Sequence, residues 1–147
     1  MRVVLQRVTS ASVTVEQHTI GQISHGLLVL VGIAKADTTA EADWLANKTV
    51  ELRIFEDANG KMNRSLLQTG GSVLVVSQFT LLANCQKGRR PAFTDAAPPK
   101  QAEQLYEYYA DALRSKGIRV EQGSFGADMK VALTNDGPVT IVIDREP

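Results

Sequence analysis

The stretch Gly26-Leu27-Leu28-Val29-Leu30-Val31-Gly32 is continuously apolar between two glycines. An unbroken apolar run of this length is typical of a β-strand buried on both faces, because a strand with one wet face alternates apolar and polar residues. The stretch therefore predicts a central strand with structure packed on each side. The run is also far too short to cross a bilayer, so we expect no membrane association.

A second apolar strand is predicted at Ser72-Val73-Leu74-Val75-Val76-Ser77-Gln78-Phe79, which runs directly into Thr80-Leu81-Leu82-Ala83. Further β signals come from β-branched residues, a hairpin return and alternating patterns. These signals lie at residues 3–8, 12–16, 21–23, from 120, 129–134 and 139–144. Residues 65–71 are expected to lead into the second apolar strand without a helix of their own.

Two helices are predicted from capping residues and helical spacing. Asp37-Thr38-Thr39 followed by Glu41 offers an N-cap for the first, and Pro98-Pro99-Lys100 opens the second. Their apolar stripes contain Ala42, Leu45, Ala46, Thr49 and Leu52 in the first, and Ala102, Leu105, Tyr106, Tyr109, Ala110 and Leu113 in the second, which ends at Lys116-Gly117.

Six or seven strands and two helices do not follow the strict strand-helix-strand order of a doubly wound fold. We therefore expect an α+β fold with a mixed or antiparallel sheet, curled or barrel-like, and two helices covering one apolar face. With 147 residues, of which 44% are hydrophobic, the chain fits a single domain over residues 1–147.

The charges balance, with 16 basic and 16 acidic side chains, so no general positive field favours nucleic acid. An RNA partner would have to meet a local patch. Lys87, Arg89 and Arg90 lie on a proline-containing loop, residues 84–99, and would suit a phosphate backbone. A solvated, solubilising loop explains them equally well.

The chain has one cysteine, Cys85, and begins with strand-like sequence rather than a secretory signal. We therefore expect a cytoplasmic protein without disulfides, in which Cys85 is buried or half-buried. Because aromatic residues are few, Phe79, Phe93 and Phe125 are expected in the core rather than on a base-stacking surface.

No motif for a metal, a nucleoside triphosphate or a dinucleotide occurs, so we expect no cofactor and no metal. Ser77 or Thr80 could act as a nucleophile beside a histidine. However, His18 and His25 lie in the N-terminal hairpin region, and nothing in the sequence brings either to this strand end. An esterase with Thr80 as its nucleophile remains an alternative.

The stretch Asn135-Asp136-Gly137-Pro138-Val139-Thr140 precedes an apolar run and offers backbone with little side-chain cover. X-Pro bonds adopt the cis form readily, so Gly137-Pro138 could aim two adjacent carbonyl oxygens in the same direction. A turn that feeds the last strand is the alternative, since Asn135-Asp136-Gly137-Pro138 is rich in turn residues.

Nearly the whole chain resembles the D-aminoacyl-tRNA deacylases. The resemblance is carried by residues 1–13 and 26–32, and above all by Ser77-Gln78-Phe79-Thr80-Leu81 and Asn135 to Thr140, the two signature motifs of that family. It implies a homodimer in which a cis Gly137-Pro138 pair enters the partner's pocket beside Ser77, Gln78, Phe79 and Thr80. It also implies hydrolysis of the ester between a D-amino acid and the 3′-terminal adenosine of tRNA, and of glycine on a mismatched tRNA.

The same resemblance implies chiral proofreading in translation quality control. Two fixed carbonyl oxygens would hold the substrate's ammonium group and leave no room for an L side chain. The ribose 2′-hydroxyl would assist catalysis, N–H groups around Gln78 and Phe79 would stabilise the oxyanion, and Thr80 would position the substrate. Arg7 would brace the Gly137-Pro138 loop, and Phe125 to Met129 would line the adenosine pocket. A non-catalytic RNA-binding module that uses Lys87 to Arg90 is the alternative from another class.

Overall fold

The first strand organises the sheet in the computed structural model, which describes residues 1–147. β1 (Arg2–Val15) pairs antiparallel with β2 (His18–Ile23) along its second half and with β3 (Gly26–Gly32) along its first half. Its other edge pairs with the last strand, β8 (Lys130–Asp144). β1 therefore has hydrogen-bonded neighbours on both sides along most of its length.

After β3, the chain first forms a short hairpin of β4 (Phe55–Glu56) and β5 (Met62–Arg64), which is not part of this sheet. The sheet itself continues beyond β3 with two parallel strands. β6 (Ser72–Ser77) pairs with β3, and β7 (Val120–Gln122) pairs with β6.

The two ends of the six-stranded sheet curl towards each other. A Cβ atom built on Gly21 in β2 would lie only 2.8 Å from the carbonyl oxygen of Gln122 in β7. The sheet is thus mixed and nearly closed into a barrel, which confirms the predicted fold class.

Three helices accompany the sheet, one more than predicted. α1 (Thr39–Glu51) and α3 (Pro99–Arg114) are the two expected helices, and α2 (Leu66–Thr69) is the additional one. Ser65 and Gln68 form a capping box at α2, a sequence signal that the closely following Gly70-Gly71 obscured. No helix in the structure is long and apolar enough to span a membrane.

The central strand β3 is buried on both faces, as its sequence predicts. Leu27, Val29 and Val31 belong to the large core cluster shared with the helices, whereas Leu28 belongs to a second cluster on the opposite face of the sheet. β6 divides in the same way. The predicted stripes of α1 and α3 are buried in the large cluster, except Leu52, which caps the end of α1 and packs against that cluster, and Thr49, which is buried as a polar residue.

A buried hydrogen bond joins α1 to α3, and it gives the first testable prediction. The Thr49 hydroxyl donates to the Leu45 carbonyl at 2.8 Å, so the Tyr109 hydroxyl, 2.7 Å away, must donate to Thr49. Thr49→Val leaves a buried tyrosine hydroxyl without an acceptor and should lower the free energy of unfolding by about 1–3 kcal/mol. Tyr109→Phe removes the donor instead and should cost about 1 kcal/mol. Urea denaturation of both variants measures the difference, and an equal or reversed order would contradict this hydrogen-bond direction.

Candidate functional site

An apolar cavity of about 580 Å³ opens at the carboxyl ends of the parallel strands β3 and β6. Thirteen of its 18 lining residues are hydrophobic, and Ser77 and Gln78 are among the few polar ones. This size and composition are typical of a small-molecule binding site with a few orienting polar groups. The structure thus places the first signature motif at the rim of a cavity.

The backbone of this motif changes from strand to 3₁₀ helix at the cavity rim. The Gln78 N–H donates to the Val31 carbonyl at 2.7 Å, so it is not available to stabilise an oxyanion as expected. The 3₁₀ helix covers Phe79–Leu82. The N–H groups of Phe79 and Thr80 lie in its first turn, where no carbonyl of the same helix can accept them. These two groups are therefore the backbone donors that the motif offers to a ligand.

Thr80 is exposed at the rim, and its hydroxyl is hydrogen-bonded by the Gln78 side-chain amide. Neither histidine lines the cavity: His25 packs against the ring of Phe55, and His18 contacts the Glu16 carbonyl. Thr80 therefore lacks the imidazole that would activate it as a nucleophile. Its contacts suit a side chain that positions another group.

Two aromatic rings at the rim correct an expectation from the sequence. Phe79 and Phe93 are 56% and 37% exposed and contact each other edge to face, with ring centroids 5.2 Å apart, so the prediction that they lie in the core was wrong. Cys85 is exposed as well, contrary to expectation. All three residues follow the end of β6, where the chain has left the sheet. Phe125 does pack against the core, with its ring 6.0 Å from that of Tyr106.

The wall of the cavity is formed partly by Tyr106, Phe125 and Met129. Tyr106 is 1% exposed, and its hydroxyl donates to the Val75 carbonyl at 2.9 Å. Burial raises the pKa of Tyr106 to about 12, because the phenolate would lose its hydration. The Tyr106 side of the wall therefore stays uncharged, although Asp128 adds an exposed carboxylate to the lining. Phe125 and Met129, which the resemblance assigns to the adenosine pocket, both line this cavity.

The second signature motif forms a bulge inside a continuous strand. The β1–β8 ladder passes from Val8 paired with Asn135 to Gln6 paired with Thr140, which leaves residues 136–139 opposite the single residue Arg7. We call residues 136–139 the bulge. Both halves of β8 remain antiparallel to β1, so the chain does not reverse direction as the turn alternative requires. The Gly137-Pro138 peptide bond is cis.

Glycine is required at the first exposed position of the bulge. Gly137 has φ +126°, a conformation that side-chain-bearing residues rarely adopt. A Cβ atom there would lie 2.9 Å from Val139 Cγ2 and 3.1 Å from Arg7 Nη2. Any side chain at this position would therefore displace its neighbours.

Two side chains hold the bulge in place. Arg7, whose side chain is 6% exposed, donates from Nη1 to the Ile54 carbonyl at 2.7 Å and from Nε to the Asp136 carbonyl at 3.1 Å. The Asn135 side chain accepts from the Val139 N–H at 2.8 Å and donates to the Val139 carbonyl at 3.2 Å. No role was predicted for Asn135 from the sequence, although an asparagine in a turn-rich stretch often bonds nearby backbone.

Because these contacts go to Asp136 and Val139, the carbonyl oxygens of Gly137 and Pro138 have no side-chain partner. Both residues are exposed. The bulge is therefore an exposed segment in which two carbonyl oxygens accept from no side chain of this chain.

The cavity and the bulge do not meet within one chain. Ser77 in β6 pairs with Val31 in β3, and Val31 pairs with Val3 in β1. The bulge lies further along β1, opposite Arg7, and its strand β8 is three strand spacings from β6. Measured along the sheet, the separation is on the order of 20 Å. Gly137 and Pro138 are not among the residues that line the apolar cavity, and Asp136 lines a separate polar cavity of about 390 Å³.

Comparison with known proteins identifies the chain. Residues 4–144 match the family model described as D-Tyr-tRNA(Tyr) deacylase. The chain is 58% identical over 144 residues to the D-aminoacyl-tRNA deacylase of Rhodopirellula baltica, covering 98% of this chain and 99% of that protein. It is 59% identical over 144 residues to the D-aminoacyl-tRNA deacylase of Thermomicrobium roseum, covering 98% and 94%.

Solved structures share the fold over the whole chain. One, titled "c-Myc DNA Unwinding Element Binding Protein", aligns with a TM-score of 0.93 and 42% identity over 100% of both chains. Another, titled "Structural Analysis of a probable eukaryotic D-amino acid tRNA deacylase", aligns with a TM-score of 0.86 over 98% of both chains. At 18% identity, the second likeness shows the fold alone.

The fold, the cavity and these relatives define the class of protein as a hydrolase with an α+β fold. More narrowly, the chain belongs to the D-Tyr-tRNA(Tyr) deacylase family, and its activity is that of a D-aminoacyl-tRNA deacylase. The predicted family membership is confirmed. Because the chain is an enzyme, the alternative of a non-catalytic RNA-binding module is wrong.

The buried Tyr106 hydroxyl makes stability depend on pH in the alkaline range. An unfolded tyrosine loses its proton near pH 10, whereas Tyr106 in the folded chain keeps it to about pH 12. The unfolded state thus binds fewer protons between these values, so stability should fall as pH rises through them, by up to about 2 kcal/mol from this residue.

Tyr106→Phe should make the loss of stability with rising pH less steep. Denaturant unfolding at pH 8, 10 and 11 measures the free energy of unfolding of both proteins. The Val75 carbonyl still accepts from the Gly123 N–H at 3.0 Å, so the variant leaves no buried carbonyl unpaired. An unchanged alkaline slope in the variant would contradict the burial of this hydroxyl.

Proposed function

We propose that two copies of the chain form a homodimer in which the bulge of one protomer closes the apolar cavity of its partner. The main support is the bulge itself, which is braced and exposed, carries two carbonyl oxygens without a side-chain partner and does not line the cavity of its own chain. The outer edge of β8 supports the proposal too, because β8 pairs only with β1 and an open edge invites a second strand or chain. Val142 on this strand is 58% exposed.

The shared site would select chirality through main-chain atoms. The Gly137 and Pro138 oxygens accept hydrogen bonds from the substrate's α-ammonium group and so fix the α-carbon. A D side chain then points towards the open mouth, whereas an L side chain meets the bulge and is rejected. Glycine has no side chain, so glycyl-tRNA becomes a second substrate of the same site.

The terminal adenosine would occupy the apolar cavity. Its base has flat apolar faces that suit the exposed Phe79 and Phe93 rings and the wall near Phe125 and Met129. The ester carbonyl then reaches the rim formed by Ser77 to Thr80. Because aminoacyl-tRNA is the substrate, we place the enzyme in the cytoplasm, where translation uses it.

The ester bond is cleaved by water with help from the substrate. Water attacks the ester carbonyl carbon, and the oxyanion is stabilised by the free N–H groups of Phe79 and Thr80. The bond from carbon to the ribose 3′ oxygen breaks, that oxygen takes a proton, and free tRNA and amino acid leave. The cavity rim offers Thr80 no histidine as a base, which favours the ribose 2′-hydroxyl as the group that positions and activates the water.

Deacylation assays with matched esters test the selectivity and the chemistry. We expect D-aminoacyl-tRNA and glycyl-tRNA to be hydrolysed. The L-ester of the same amino acid should react at least about 100-fold more slowly than the D-ester. A terminal 2′-deoxyadenosine ester should also react much more slowly than its 2′-hydroxy counterpart. Equal rates for D and L esters, or for the two riboses, would overturn the corresponding step.

Thr80→Ala in the same assay separates the two roles of Thr80. With a positioning role, turnover should stay within about tenfold of the original enzyme and no acyl-enzyme should be trapped. If Thr80 is the nucleophile, activity disappears in the variant and an acyl-enzyme forms only in the original enzyme.

A mixing experiment tests whether the site is shared. Gly137→Val distorts the bulge, because its side chain would clash with Val139 and Arg7. Ala127→Trp fills the cavity from its wall. Each variant alone should therefore be inactive. Co-expressed with different tags, they form heterodimers in which one of two sites combines an intact bulge with an intact cavity. With random pairing, activity should return to about a quarter of the original value, as two-fold symmetry requires.

No recovery in purified heterodimers would show that each chain carries a complete site. Gly117→Val serves as the control for backbone strain, because Gly117 has φ +83° but open space around its Cβ position. This control should lose some stability and keep its activity.

A further inference from the structure

A short finger projects from the chain just after the cavity rim. Its base is closed by two backbone hydrogen bonds, from Asn84 N–H to the Ala92 carbonyl at 2.7 Å and from Ala92 N–H to the Asn84 carbonyl at 2.9 Å. We call residues 85–91 the basic finger. The Asn84 side chain also accepts from the Gln86 N–H at 3.0 Å, and Gly88 takes a positive φ of +68°. The finger is thus a defined hairpin loop, and every residue in it is exposed.

The basic finger holds three cations without partners. Lys87, Arg89 and Arg90 form no salt bridge, whereas Arg2, Arg114, Arg119 and Lys130 each pair with a carboxylate. No aspartate or glutamate occurs between Asp57 and Asp95. In a chain of zero net charge, this finger is therefore a local concentration of positive charge.

The finger stands at the mouth of the cavity. Its base lies between the 3₁₀ helix, which begins at Phe79, and Phe93, which follows Ala92 directly. Phe79 and Phe93 both line the cavity and contact each other. A chain that leaves the cavity past these two rings therefore meets the finger next.

We propose that the basic finger binds the phosphates of the tRNA acceptor end that precede the terminal adenosine. This inference rests on the proposed function, which places that adenosine in the cavity. The adenosine is joined to the rest of the tRNA by phosphodiesters, so the first phosphates leave the cavity through its mouth. Guanidinium and ammonium groups bind phosphate by ion pairing and by releasing its counterions, without reading sequence. The finger thus adds affinity for the nucleic acid but takes no part in the ester chemistry.

The triple variant Lys87→Ala, Arg89→Ala, Arg90→Ala tests the finger through salt dependence. On D-aminoacyl-tRNA at low salt, we expect kcat/KM to fall about tenfold or more. The single-turnover rate constant at saturating enzyme should stay unchanged. The slope of log kcat/KM against log salt concentration should become shallower by about three, one unit for each lost phosphate contact.

A matched control removes three other cations. Arg53, Lys61 and Lys116 also lack salt bridges, and their triple alanine variant changes net charge equally. This control should retain the salt slope of the original enzyme. If both triple variants lower kcat/KM on D-aminoacyl-tRNA to the same extent, the general charge of the protein rather than the finger is responsible, and the proposal is overturned.

A substrate without phosphates separates this inference from the proposed function. D-aminoacyl-adenosine carries the ester, the ribose and the base alone, so the finger variant and the original enzyme should hydrolyse it at the same rate. A finger variant that is equally impaired on this nucleoside would place the finger in the catalytic site and refute its phosphate role. If neither protein distinguishes D from L on this substrate, the proposed function itself fails, whatever the salt slope.

Discussion

The buried guanidinium of Arg7 is the interaction on which the arrangement of the bulge depends. A charge with a 6% exposed side chain must keep its partners, because leaving it unpaired in the interior costs several kcal/mol. Its partners are the carbonyls of Ile54 and Asp136, and Asp136 and Glu56 supply carboxylates at 3.4 and 3.9 Å. Since β1 is held on both sides by the sheet, Arg7 cannot follow a moving loop. The bulge is therefore positioned by the centre of the sheet.

The sequence predicted the fold well where burial follows a local pattern. The apolar run of β3 and the helical stripes of α1 and α3 need no knowledge of distant residues, because the period of the hydrophobic residues decides which face is covered. The failures at Phe79 and Phe93 have a cause that is not local. Phe79 and Phe93 have core composition, but they lie where the chain leaves the sheet at a cavity mouth, and only the tertiary arrangement shows that nothing covers them. The four-residue helix α2 is too short for any periodicity to be visible.

The site could be anticipated only in part for a similar reason. The two signature motifs identify the residues, yet which backbone groups are free depends on strand register. The parallel pairing of β6 with β3 brings the Gln78 N–H to the Val31 carbonyl, and this removes a donor that was expected from the sequence. In the same way, Asn135 has a role because the ladder skips from Val8 to Gln6, a register shift that no propensity predicts.

In the proposed site, recognition is divided among three elements that differ in physical character. The cavity offers apolar contact, the bulge offers main-chain oxygens, and the finger offers charge that salt screens. The zero net charge of the chain agrees with this division, because a general positive field would attract any RNA. A small positive finger beside an apolar cavity instead favours RNA whose terminal nucleoside also enters that cavity, and the bulge then examines only the amino acid it carries.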